Sequence, residues 1–173
     1  MDMKYLLILF VCLQQWTHAQ TVDPNQRLLE LGIQLPEMKA PIANYAKAVQ
    51  TGNLLYLSGH IPDEVAGGKT RGKLGVQLNV DEGREAARLT AISLLSTLQY
   101  YAKNLKNVKR IVKVTGMVNA DPAFTQHPAV INGCSDLLVA VFGEAGKHAR
   151  SSIGMSSLPL DAAVEIEMIV ELK

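Results

Sequence analysis

The C-terminal stretch at residues 149–172, ARSSIGMSSLPLDAAVEIEMIVEL, decides the fold class. Residues 149–155 are typical of a strand, and residues 158–161 (LPLD) are typical of a turn. From residue 163 to residue 172, hydrophobic side chains alternate with glutamates, as in a strand with two different faces. One face is hydrophobic, whereas the other mixes glutamates with Ile169. The second face suits a subunit interface that contains a ligand cleft.

The residues upstream of this stretch predict the rest of the domain. A short helix begins at Asp23-Pro24, followed by strand-like runs at 45–50 and 54–58. Hydrophobic periodicity predicts one helix from Asp81 to about Lys103 and another from about Pro128 to Phe142, with a strand at 109–119 between them. After the short helix the predicted order is β-β-α-β-α-β-β. Two such helices cover one face of a single mixed sheet, which makes an α+β domain.

Composition excludes one class of protein, and charge argues against another. Of 173 residues, 48% are hydrophobic, which excludes a disordered chain. The chain has 17 basic and 16 acidic residues, and this balance argues against a nucleic-acid partner. One basic cluster, Lys103 to Lys113, is compatible with an RNA contact or with a solvated helix end.

The first 19 residues, MDMKYLLILFVCLQQWTHA, have the pattern of a secretory signal peptide. Lys4 precedes a hydrophobic run at 5–13, and Thr17-His18-Ala19 is a small-x-small cleavage site. We expect cleavage near Ala19, a secreted or periplasmic single domain at 20–173, and no membrane partner afterwards. An uncleaved anchor is the alternative. Cys134 is then the sole cysteine, and the histidines lack metal-ligand spacing, so neither an internal disulfide nor a metal site is expected.

Two residues near the C-terminus carry the chemistry that the spacing predicts. Arg150 and Glu165 flank the LPLD turn, which places them on the two partner strands of a predicted hairpin. Arginine holds a carboxylate through a two-pronged contact, and a glutamate within hydrogen-bond distance orients or deprotonates water. The alternative is an exposed cross-strand salt bridge, which contributes little to stability.

Several short motifs carry a resemblance to a known family. They are Asn44-Tyr45-Ala46, Leu57-Ser58-Gly59-His60-Ile61-Pro62, Glu82-Gly83, Ala86-Ala87-Arg88, Ala149-Arg150-Ser151, Leu158-Pro159 and Val164-Glu165-Ile166-Glu167. Over residues 40–173 the chain resembles the RidA/YjgF family of reactive-intermediate deaminases, also called L-PSP endoribonuclease-like proteins. The glycine-rich residues before the first long helix and the link at 142–148 resemble a divergent branch.

The resemblance implies a chorismate-mutase-like α+β fold and a homotrimer whose sheets form a central barrel. It also implies sites at the subunit interfaces that bind small carboxylates. The activity it implies is the hydrolysis of enamines and imines of the 2-aminoacrylate type to 2-keto acids and ammonia, without a cofactor or metal.

The family's functional residues are carried over onto matching positions. Arg150 matches the arginine that grips the substrate carboxylate, and Glu165 matches the glutamate that places the attacking water; these two are the expected catalytic residues. Tyr45, Ser58 and Gly59 match residues that line the substrate cleft.

Two positions depart from the family pattern. Ser152 stands where active members commonly have cysteine, which keeps hydrogen bonding but loses the thiol. Asn132 is set aside as the match for a helix asparagine, because the link from the helix to Arg150 differs in length. The departures favour a non-catalytic protein that binds small carboxylates or a partner as the alternative function, and a ribonuclease is a weaker one.

Overall fold

The computed structural model describes residues 23–38, 41, 43–63 and 69–173. The predicted signal peptide therefore lies outside the described residues. Helices α1 (Pro24–Glu30), α2 (Val80–Ala102) and α3 (His127–Phe142) alternate with strands β1 (Ala48–Thr51), β2 (Leu54–His60), β3 (Val108–Asn119), β4 (Ala149–Met155) and β5 (Val164–Leu172). The predicted element order is confirmed.

The strands form one mixed sheet in the order β1-β2-β5-β3-β4. Strands β3 and β4 are parallel and connected through α3, whereas the other neighbouring pairs are antiparallel. Helix α2 packs on β2 and β5, α3 packs on β3 and β4, and the two helices pack against each other. We call the face that these helices cover the helix face and the opposite face the open face. The predicted α+β class, with one mixed sheet and two long helices on one face, is confirmed.

The alternation along β5 divides the sheet as the sequence predicts. Val164, Ile166, Met168 and Val170 are buried on the helix face, and Glu165 and Glu167 point to the open face. On β3, Gly116 allows α3 to approach the sheet, because a Cβ there would lie 2.5 Å from Cδ1 of Ile131. This close approach brings the face of α3 that carries Ile131 onto β3 and β4.

A capping box fixes the start of α2. The Asn79 side chain accepts a hydrogen bond from the Glu82 backbone N–H, and the Glu82 carboxylate accepts one from the Asn79 N–H, each at 2.9 Å. The helix begins one residue earlier than predicted because these bonds satisfy its first free N–H groups.

The predicted hairpin between the last two strands is wrong. Strand β3 lies between β4 and β5 and pairs with both of them. The chain at 156–163 therefore crosses the end of β3 instead of turning back beside β4. Arg150 and Glu165 are thus not on neighbouring strands.

The basic cluster is paired with other groups of the protein. Lys106 pairs with Asp23, and Lys109 and Arg110 both pair with Glu171. Lys103 lies over the ring of Tyr100, and Lys113 donates to the Ser151 hydroxyl. Each cation of the cluster therefore has a partner within the described residues.

Residues 127–146, which include α3, are long and hydrophobic enough to cross a membrane by length and composition. Half of this segment is buried within the domain, where it packs on α2 and the sheet. A core helix has the same composition, so the hydrophobic character follows from its place in the fold.

Candidate active site

Arg150 is held on the helix face of the edge strand β4. Its Nη1 donates one hydrogen bond to Oδ1 of Asn132 at 2.8 Å and another to Oγ of Ser135 at 3.0 Å. Both partners belong to α3, one helical turn apart. Within the described residues nothing accepts a hydrogen bond from its Nε or Nη2. The half-buried guanidinium therefore keeps one N–H edge for an anion, with the two-donor geometry that fits a carboxylate.

Asn132 contacts Arg150, although the spacing of the motifs does not match it to the family's helix asparagine. The link between α3 and β4 contains a single-turn helix at Gly143–Gly146, and Asn132 contacts Arg150 in the folded chain. Ser135 was not singled out at all. Both are polar residues on α3 with intermediate exposure, among buried residues such as Ile131 and Cys134. Polar residues beside the hydrophobic stripe were the signal that could have found them.

Glu165 lies on the open face of β5, where it is opposite Met117 of β3. Its carboxylate packs directly on Gly59, since a Cβ at residue 59 would overlap Oε1 and lie 2.9 Å from Cδ. Burial raises the pKa of Glu165 above its usual value, and the charge of Glu167 raises it further. Within the described residues no group donates a hydrogen bond to this carboxylate. A carboxylate with these properties is suited to accept a proton from water.

Arg150 and Glu165 lie on opposite faces of the sheet. Arg150 is in register with Val114, whose side chain is buried under α3, whereas Glu165 is in register with Met117. The strands that carry them are two strand spacings apart, about 10 Å. Within one chain, a single small ligand does not contact both side chains.

The open face contains a groove of about 250 Å³ across strands β2, β5 and β3. It is lined by Tyr56 and Ser58 of β2, Lys113 and Thr115 of β3, and Glu167 and Ile169 of β5. The Ser58 hydroxyl donates to the Ala46 carbonyl at 2.6 Å, which anchors β2 to the chain that precedes β1. Ser58 lines this groove, and Gly59, the next residue of β2, contacts the Glu165 carboxylate.

Tyr45 and Ser152 do not line the groove on the open face. Tyr45 lies in the bend before β1, is 48% exposed and does not line the groove. Ser152 is in register with Gly116, on the same face of β4 as Arg150. Its hydroxyl is excluded from solvent and has no hydrogen-bond partner within the described residues.

Cys134 and the histidines provide neither a nucleophile nor a metal site in the described part of the chain. Burial raises the pKa of the Cys134 thiol to about 12, so it stays protonated in the core. His60 is buried between the Ser58 carbonyl and the Thr97 hydroxyl. Across residues 23–38, 41, 43–63 and 69–173, no three His, Cys, Asp or Glu side chains are grouped so that they could hold a metal ion.

Comparison with known proteins settles the family. Residues 25–172 match the family described as "YjgF/chorismate_mutase-like, putative endoribonuclease". The chain belongs to the YjgF/RidA family. The match begins in α1, so it includes residues upstream of position 40, where the sequence resemblance begins.

Three family members show how this chain is related to others. Protein TCP17 of Trypanosoma cruzi is 45% identical over 146 residues, which cover 84% of this chain and 91% of that protein. The crystal structure of Atu1372 from Agrobacterium tumefaciens has a TM-score of 0.80 and 40% identity, over 87% of this chain and 92% of that one. A 2-iminobutanoate/2-iminopropanoate deaminase of Dermatophagoides farinae is 28% identical over 154 residues, which cover 82% of this chain and 95% of that protein.

Proposed function

We propose that this YjgF/RidA protein hydrolyses reactive enamines and imines of the 2-aminoacrylate type to 2-keto acids and ammonia. In the reacting imine tautomer, water adds to the imine carbon, a C–O bond forms, the C–N bond breaks and ammonia leaves. The observation that carries this proposal is Arg150, whose guanidinium is fixed by two hydrogen bonds but keeps an open edge for a carboxylate. The named activity of the Dermatophagoides farinae relative is consistent with this chemistry.

In the proposed mechanism Arg150 holds the substrate and Glu165 handles the proton. Fixing the carboxylate holds the neighbouring imine carbon in one place relative to a bound water. The raised pKa of Glu165 lets it take a proton from this water more readily and return it to the departing nitrogen. A general base of this kind contributes roughly 10²–10⁴-fold to the rate.

We further propose that the site forms between subunits of a homotrimer. Because Arg150 and Glu165 lie on opposite faces of one sheet, the edge strand β4 of one subunit has to meet the open face of the next. The open face and its edges expose hydrophobic side chains that suit such an interface: Val49, Tyr56, Ile153 and Met155. The small carboxylate would then bind in the cleft between two subunits.

The second candidate is a protein that binds small carboxylates without turning them over. Ser152 favours it, because its hydroxyl replaces the thiol common in active members and lies buried without a partner near Arg150. In this candidate Arg150 keeps its role, but the site performs no hydrolysis. Ribonuclease activity has less support, because the basic cluster is paired within the protein.

One assay separates these functions. An amino acid oxidase generates 2-iminobutanoate in the presence of the purified protein, and the release of 2-oxobutanoate and ammonia is compared with the uncatalysed rate. We expect acceleration by the wild type, loss of at least about 10²-fold in Arg150→Ala and Glu165→Gln, and full activity in the surface control Arg84→Ala. Arg84 pairs with Asp136 on the helix surface, away from β4 and β5.

The outcomes of this assay are distinct. Equal rates for the wild type, Arg150→Ala and no protein would overturn the deaminase proposal. If 2-oxobutanoate binds in calorimetry with Arg150 dependence but no imine is turned over, the non-catalytic binder is correct instead. Sedimentation of the purified protein tests the trimer, and a monomer at the assay concentration would exclude a site shared between subunits.

A further inference from the structure

A chain of hydrogen bonds continues from Arg150 into the protein. Nε2 of His148 lies 3.0 Å from Oγ of Ser135, and Nδ1 of His148 lies 2.6 Å from the Gly146 carbonyl oxygen. A carbonyl oxygen only accepts hydrogen bonds, so Nδ1 carries the proton of the neutral ring. Nε2 then offers a lone pair, and the Ser135 hydroxyl donates to it.

The direction of each bond in this chain follows from these assignments. Once the Ser135 hydrogen is directed to His148, the Ser135 oxygen presents its lone pairs to the Nη1–H of Arg150. Donation to the imidazole also polarises the hydroxyl, which makes its oxygen a better acceptor. The chain therefore runs from Arg150 through Ser135 and His148 to the Gly146 carbonyl.

The surroundings of His148 favour its neutral form. The ring is half-buried, and burial lowers its pKa; the charge of Arg150 lowers it as well, and the bond to Gly146 opposes both. The other charged groups close by in the chain are already paired, Asp136 of α3 with Arg84 and Glu144 with Lys147. Arg150 is the charge that acts on His148.

We propose that His148 is a positioning residue that acts through Ser135 to fix the guanidinium of Arg150 for an anionic ligand. This inference rests on the proposed function, because that function assigns the carboxylate to Arg150. Asn132 supplies the first anchor of Nη1, and the Ser135–His148 pair supplies the second. With one anchor, the guanidinium samples more rotamers and loses more entropy when the ligand binds.

A positioning role has a specific kinetic signature. Loss of the second anchor weakens carboxylate binding, whereas the Glu165 carboxylate keeps its place, because within each chain it lies on the opposite face of the sheet from Ser135 and His148. We expect the KM for 2-iminobutanoate and the Kd for 2-oxobutanoate to rise about 3- to 10-fold, the range for one hydrogen bond to a charged group. We expect kcat to change less than twofold.

The test compares three single variants with the double variant His148→Phe/Ser135→Ala at pH 7.5, which is above the usual pKa of histidine. His148→Phe keeps a ring without an acceptor, Ser135→Ala removes the hydroxyl, and His148→Gln restores both an acceptor for Ser135 and a donor for Gly146. In calorimetry, the Kd for 2-oxobutanoate should rise by a similar factor in His148→Phe, in Ser135→Ala and in the double variant. His148→Gln should have a Kd near that of the wild type. Because Ser135→Ala leaves the ring in place, it still tests the proposal if His148→Phe does not fold.

The results that overturn the proposal are equally specific. Two results would show that His148 does not act through Ser135. One is an unchanged Kd for 2-oxobutanoate in both His148→Phe and Ser135→Ala. The other is an increase in Kd in the double variant that equals the product of the increases in the two single variants. Failure of the proposed function looks different, because Arg150→Ala would then bind 2-oxobutanoate like the wild type or neither would bind. In that case the ¹⁵N chemical shifts of His148 still test the hydrogen-bond chain. A proton on Nδ1 supports the proposed direction of the bonds, and a proton on Nε2 overturns it.

Discussion

The carboxylate of Glu165 rests on the α-carbon of Gly59, in the space that any larger residue at position 59 would fill. Gly59 does not have a positive φ, so this glycine is needed for close approach and not for its backbone conformation. The bulge that shifts the β2–β5 register between Leu57 and His60 places Gly59 there. The position of the proposed proton acceptor thus depends on the residue beneath it.

Gly59→Ala should therefore impair activity more than stability. The new Cβ would overlap the Glu165 carboxylate, which has to rotate away from its place on the open face. We expect kcat/KM for 2-iminobutanoate to fall at least about tenfold, as for a misplaced catalytic group, with a small change in the thermal midpoint.

Gly32→Ala is the matched control for this substitution. Gly32 has a φ of +66° with open space around its α-carbon, so alanine there strains the backbone without touching the site. It should lower the midpoint and leave kcat/KM unchanged. Full activity of Gly59→Ala would show that the contact with Glu165 has no role in catalysis.

The fold could be predicted from sequence because each element carries its own periodicity. Alternation along β5 and the hydrophobic stripes of α2 and α3 each depend on local spacing, and burial follows that spacing. Strand partners are different, because pairing depends on distant parts of the chain. The strand-helix-strand order of β3, α3 and β4 was the available signal, since such a unit usually makes two parallel strands.

Candidate site residues could be chosen from the sequence, but their arrangement in space could not be predicted. Motifs select Arg150, Glu165, Ser58 and Gly59 as candidates, whereas the opposite faces of Arg150 and Glu165 follow from the strand order and register. The number of residues between α3 and Arg150 does not show that Asn132 and Arg150 are in contact, because that link contains a single-turn helix. Motif spacing measures distance along the chain, whereas a site depends on distance in space.

Ser152→Ala should leave the protein equally stable or more stable. The Ser152 hydroxyl is buried without a hydrogen bond in the described structure, so its removal ends a desolvation cost and breaks no bond. We expect the free energy of unfolding in urea to rise by about 1 kcal/mol.

Thr97→Val is the matched control, because it removes a buried hydroxyl that has a partner. Thr97 Oγ1 lies 2.8 Å from Nε2 of His60, which would lose its hydrogen bond. This variant should lose about 1–3 kcal/mol. A comparable loss in Ser152→Ala would indicate that its hydroxyl is bonded in the assembled protein.

Cleavage near Ala19 is a prediction from the sequence alone. In a secretory host, the exported protein should lack residues 1–19, and its intact mass should correspond to a chain that begins at Gln20. Ile8→Arg places a charge in the hydrophobic run and should leave the full-length protein inside the cell. Export at full length would support the uncleaved anchor instead.

His60 should make stability depend on pH between about pH 6.5 and pH 4. Burial lowers the pKa of His60 to about 4, and its two ring nitrogens bond the Ser58 carbonyl and the Thr97 hydroxyl. Between pH 6.5 and 4 the unfolded chain binds a proton at this histidine that the folded chain does not. Stability therefore falls as the pH falls, by about 2 kcal/mol from pH 7 to pH 5 for this group.

Urea unfolding at fixed protein concentration measures this slope. His60→Gln keeps a donor for Ser58 and an acceptor for Thr97 but has no group that titrates, so its loss between pH 7 and pH 5 should be smaller by that amount. The remaining slope in the variant reports other histidines, including His148, whose pKa is also lowered. An identical slope in both proteins would mean that the pKa of His60 is not lowered in the folded protein.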